Sequence, residues 1–118
     1  MRVVGKNPLM NSTVSQAGTS YSDAMRFDRC TGEVAVLLTS TAGKITVTQQ
    51  CSVDGTTWFD PVSSNGASLG LVCLNQLVTT GRYIVYTPVL SQHMRFKVVE
   101  GNTGATTVTI NIIFQEQS

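Results

Sequence analysis

Charge is scarce in this chain. Of its 118 residues only 13% are Asp, Glu, Lys or Arg, and the formal net charge is +1. That balance gives no electrostatic case for binding nucleic acid or an anionic membrane surface. Long apolar runs are missing too. The longest, such as Leu69 to Leu74, are strand-sized, well short of the ~20 residues of a membrane-spanning helix. Met1 to Met10 carries Arg2, Lys6 and Pro8 but no apolar core of a secretory signal, so the chain is expected to be made in the cytoplasm. The three cysteines, Cys30, Cys51 and Cys73, are odd in number and widely spaced. They lack the paired spacing of a zinc site and are expected to be free, buried thiols. Segments with helical period are absent.

The scarcity extends to catalytic residue types. His93 is the only histidine, it opens an apolar strand, and no nucleophile elbow surrounds it. Gly43-Lys44 lacks the upstream glycine of a phosphate loop, and Ile45 stands where that loop needs Ser or Thr. Asp54 is explained by a turn and Asp60 by its place before Pro61, so no carboxylate pair is set up for acid–base work. No catalytic, cofactor-binding or metal site is expected, and no enzymatic activity.

What the chain does have is short alternating segments separated by turns. Ile45, Val47, Gln49 and Cys51 alternate with Thr46, Thr48, Gln50 and Ser52, which puts the two sets on opposite faces of a strand. Asp54-Gly55 is a hairpin signal, with Trp58-Phe59 expected on the returning strand. Further strands are expected over residues 21–30, 33–39, 69–78, 82–87, 93–100 and 106–115. In the last two, Met94, Phe96 and Val98 and then Val108, Ile110, Ile112 and Phe114 fall on one face. The chain therefore reads as one all-β domain, an antiparallel β-sandwich of jelly-roll or immunoglobulin-like type with about seven or eight strands. Trp58, Phe96, Ile110 and Phe114 are the expected core anchors.

The first stretch stands apart. No period runs through residues 1–20, which hold Gly5, Asn7-Pro8 and Ala17-Gly18. They are expected to form an extended, irregular N-terminal arm beside a sandwich of residues 21–118. Val3, Val4, Leu9 and Met10 are spaced along it as apolar contacts to a neighbouring subunit. Trp58, Phe59, Tyr83 and Tyr86 suggest a further possibility, a carbohydrate-stacking platform.

Three features in order carry a resemblance to a known family. Gly43-Lys44-Ile45-Thr46-Val47 leads to Gln50-Cys51-Ser52-Val53-Asp54-Gly55-Thr56-Thr57-Trp58; Thr80-Gly81-Arg82-Tyr83 leads to Met94-Arg95-Phe96-Lys97-Val98; and Asn102-Thr103-Gly104 leads to the alternating last strand. Over roughly residues 32 to 115 the chain resembles the small β-sandwich virion proteins of tailed phages, including head decoration (cement) proteins. The resemblance implies a structural protein of the virion, made in the bacterial host. It would bind the major capsid protein or another virion protein, as a homo-oligomer and with no cofactor. The same resemblance also admits a tail, head–tail adaptor or fibre-associated component. Different in class are a carbohydrate-binding module and a plain interaction domain of a cellular assembly.

Overall fold

A computed structural model describes residues 2–117. Among these residues are nine strands and no helix: β1 (Arg2–Val14), β2 (Thr19–Tyr21), β3 (Met25–Arg26), β4 (Cys30–Ser40), β5 (Ile45–Ser52), β6 (Leu71–Gln76), β7 (Arg82–Tyr86), β8 (His93–Glu100) and β9 (Thr106–Glu116). They form two antiparallel sheets. The first runs β1-β9-β4-β7; the second runs β2-β8-β5-β6, with β3 also pairing β8. The chain is thus an antiparallel β-sandwich.

Period-two patterning explains the packing. In β8 the buried residues are Met94, Phe96, Val98 and Glu100; in β9 they are Thr106, Val108, Ile110, Ile112 and Phe114. The intervening residues point outward, so each strand presents one apolar edge to the space between the sheets. Val34, Val36 and Leu38 of β4 and Ile45 and Val47 of β5 complete the inner layers. Phe27 meets Phe114 edge-on, with ring centroids 5.3 Å apart. Each fully buried Val, Leu, Ile or Phe is worth roughly 1.5–3 kcal/mol of transfer free energy. Phe96, Ile110 and Phe114 are core residues, as the alternation implies.

The N-terminal stretch is not an irregular arm. Residues 2–14 form the long edge strand β1, which pairs with β9 from Arg2↔Glu116 to Val14↔Thr106. The register shifts between Lys6 and Met10, around Pro8, where an edge strand tolerates a residue without an N–H. That shift turns both Leu9 (1% exposed) and Met10 (4%) into the core. These two residues are therefore anchors within the chain and not contacts to a neighbour. Val4 is half-buried against the same core, and of the four only Val3 stands clear in solvent.

Two further expectations need correction. The stretch 21–30 is not one strand: β2 and β3 are short, separate pieces along β8. The Asp54-Gly55 turn closes no extended hairpin, because only an isolated bridge joins Cys51 to Phe59. β5 instead pairs with β8 along its whole length and with β6 on its other side. Trp58, in the loop beyond the turn, lies half-exposed outside the core.

Candidate functional site

The outward face of the first sheet is assembled from four strands. Register sets Gly5, Ile113, Ala35 and Val85 side by side across β1, β9, β4 and β7. The next row on the same face has Asn111, Leu37 and Tyr83 as neighbours. Tyr83 is 61% exposed and Val85 54%, with Leu37 and Ile113 above one-third. Because Ala35 is small, the face dips between Tyr83 and Ile113. The resulting open hollow has a volume of about 350 Å3 and is lined by Asn7, Ala35, Leu37, Tyr83 and Ile113 among others.

The outward face of the second sheet is covered by the chain itself. Loop 53–70 folds back over β5 and β8. The Arg95 guanidinium lies 3.9 Å from the centre of the Tyr21 ring and 4.6 Å from that of Trp58, held between two aromatic faces. Its Nε donates to Gln50 Oε1 at 2.8 Å, Gln50 Nε2 donates to Asp60 Oδ1 at 2.9 Å, and Lys97 Nζ pairs with Asp60 Oδ2 at 2.7 Å. The Lys97 and Gln50 hydrogen bonds hold the Asp60 carboxyl below its ordinary pKa. Trp58 and Tyr21 thus serve as a clamp on Arg95, which occupies a ring face that a sugar would otherwise stack on. Tyr86 is a poor platform: its ring packs against the core, its hydroxyl donates to buried Gln49, and burial pushes its pKa up.

Ser52 and Asp54 build the turn. Asp54 Oδ1 accepts from the backbone N–H groups of Thr56 and Thr57, both at 2.9 Å, and from Ser52 Oγ at 3.0 Å. Those bonds to its charged form keep the carboxyl far below the usual carboxylate range. Asp54 is a structural acceptor. The thiols of Cys30, Cys51 and Cys73 are unpaired and all pushed up by burial, which leaves them as thiols and not as nucleophilic thiolates. Among the described residues no three His, Cys, Asp or Glu side chains gather as metal ligands.

Glu100 is a feature that sequence reasoning missed. It is 2% exposed at the end of β8. Its carboxylate accepts from Ala17 N at 2.9 Å, Thr103 N at 3.0 Å and Thr103 Oγ1 at 2.6 Å. Thr103 Oγ1 in turn accepts from Lys44 N at 2.9 Å. One carboxylate therefore ties together three loops that each pass between the sheets. The Thr103 and Ala17 bonds lower its pKa from 4.5 to about 2. Gly43 makes room for it: a Cβ there would lie 2.9 Å from Glu100 Oε2 and 2.8 Å from Gly104 O. The run Glu100-Gly101-Asn102-Thr103-Gly104, an acid followed by a donor-rich loop, was the available signal.

A second apolar surface lies apart from the first. On and around edge strand β6, Leu69, Leu71, Leu74 and Leu77 are all about half-exposed or more. At one end of the sandwich Val53, Phe59 and Leu90 project into solvent, Leu90 at 96% exposure. These three line a small hollow of about 130 Å3 with Cys51 and Ser91.

No family model matches the chain, and no curated protein matches it. Solved structures do share its fold. The chain is similar to a mitogen from Yersinia pseudotuberculosis, with a TM-score of 0.56 and 11% identity over 99% of this chain and 89% of that one. It is also similar to the SPBc2 prophage-derived protein YomS, with a TM-score of 0.57 and 14% identity over 98% of this chain and 96% of that one. At such identities the likeness speaks for the fold alone.

Proposed function

We propose that the chain is a structural protein of a phage particle, a decoration or auxiliary component of the capsid that holds its place by protein–protein contacts. The observation that carries this reading is a pair of unpartnered apolar surfaces on one small domain: the outer face of the first sheet, and the leucine-lined edge at β6. Monomeric soluble proteins seldom expose such contiguous patches, which mark interaction sites. Two of them on one domain suit a protein that sits between neighbours in an assembly, where many modest contacts add through avidity.

The strand order supports a jelly-roll form of the sandwich. β2 and β3 both pair β8 and count as one strand. Eight strands then make two four-stranded layers, and β5 to β6 is the only connection that stays within a sheet. Jelly rolls recur in viral capsid domains. One of the similar structures comes from a prophage, which is a statement about that protein. A tail or head–tail component would use the same surfaces and differ in position on the particle.

The test is to band particles from cells that express the chain and probe them with an antibody against it. The reading expects fixed stoichiometry and labelling over the capsid shell. Labelling confined to the tail favours the adaptor or fibre alternative. Absence of the chain from the particle band overturns the virion reading.

A further inference from the structure

We infer that the outward face of the first sheet packs against the same face of a second copy of this chain, about a two-fold axis. This goes beyond the virion reading and does not depend on it. The first observation is charge. The outward positions across the four strands include Val3 and Gly5, then Thr109, Asn111 and Ile113, then Ala35, Leu37 and Thr39, and finally Tyr83 and Val85. Glu33, outward at the start of β4 beside Val3, Ala35, Val85 and Ile113, is the one charge among the described outward residues; the rest are uncharged. A sheet face built to stay in water carries polar and charged residues at its outward positions. Away from Glu33, at the end of β4, this one would bury a partner's charges with nothing to pair them, at a cost in desolvation. It accepts an equally charge-poor face, and a second copy supplies one.

Shape is the second observation. Tyr83 projects beside the hollow over Ala35. A two-fold axis through the face sets the Tyr83 of each copy into the other's hollow, because an isologous interface repeats every contact reciprocally. The ring fills an apolar depression while its hydroxyl meets Asn7 or Asn111 at the margin, the use of tyrosine that interfaces favour. Area is the third. Four strands ~4.8 Å apart and up to ~40 Å long present on the order of 700 Å2 in projection. A standard interface buries roughly 800 Å2 per partner, so overlap of the whole face reaches the size of a specific dimer.

Sedimentation equilibrium of the purified chain tests this. The expected mass is twice 12.7 kDa, with association nearly independent of salt because no charge pairs span the face. The paired change Leu37→Lys with Tyr83→Lys should weaken association by roughly 100-fold or more, since like charges then oppose across the axis. Ala35→Leu fills the hollow without adding charge and should also weaken it. Leu74→Lys, on β6, should leave the dimer intact. Circular dichroism of each variant confirms that the sandwich is retained. A wild-type chain that stays monomeric at high micromolar concentration, or a trimer, overturns the proposal. So does a dimer that survives the Leu37 and Tyr83 changes or dissolves on Leu74→Lys.

Discussion

On the second sheet the chain covers its own outward face; on the first sheet it leaves that face bare. Loop 53–70 lies across β5 and β8, and its Trp58 and Asp60 engage Arg95, Gln50 and Lys97 from above. Gln50 is consequently only 7% exposed although it points away from the core. The first sheet has no equivalent loop. Ala35, Leu37, Tyr83, Val85 and Ile113 face outward with no covering segment and only Glu33 as a charge beside them. The same period-two pattern produces both faces. What separates them is whether the outward set is polar and tied down by the chain, or apolar and left for something else to cover.

Four experiments would break or sharpen that contrast, and the largest effect belongs to neither face. Glu100→Ala leaves the N–H groups of Ala17 and Thr103 without their acceptor at the end where the sheets are joined. It should lower the thermal midpoint more than any outward-face change. The sign of its pH dependence follows from its depressed pKa: the folded protein holds the carboxylate more tightly than the unfolded chain does. That stabilisation is complete above about pH 4.5 and is lost as pH falls towards about 2. Thermal melts from pH 7 to pH 2 should show a shallower acid limb in the variant.

Next is Arg95→Ala, which removes the cation between Tyr21 and Trp58 and leaves Gln50 Oε1 without its donor. A loss of about 2 kcal/mol in urea unfolding is expected, with Trp58 emission shifted to the red as the loop loosens. Asp60→Asn should cost less, about 0.5 kcal/mol, and the difference should shrink in salt because this ion pair is partly solvated. The smallest effect is that of Leu37→Lys on folding itself. Measured at high dilution, its unfolding free energy should stay within about 0.5 kcal/mol of wild type, because its side chain lies on the outward surface and takes no part in the core. A large loss there would mean that the first face has a structural role of its own.

The strands nearest the C-terminus were the most legible in the sequence. β8 and β9 alternate without interruption, and their inward residues, Phe96, Ile110 and Phe114 included, can be read directly. β1 was hidden by its register shift. A bulge around Pro8 places Leu9 and Met10 next to each other on the inside, so the period of two fails where the core begins. Trp58 misled through size alone: a single large aromatic looks like a core anchor, but here it clamps an arginine on the outside. Arg95 and Tyr21 lie 74 positions apart and meet only because β2 pairs β8, a pairing that no local pattern announces. The bare face was half legible. Tyr83 and Val85 alternate with Ile84 and Tyr86 in the sequence, but which pair faces water depends on β4 lying beside β7 and on the second sheet packing against the other face.

Hydroxyl-radical labelling of side chains over a range of protein concentrations tests the contrast between the two faces most directly. Labelling of Tyr83, Leu37 and Val85 should fall as concentration rises, while Trp58 and Tyr21 react equally throughout. Constant labelling of Tyr83, or protection that appears at Trp58 and Tyr21 instead, would contradict the account.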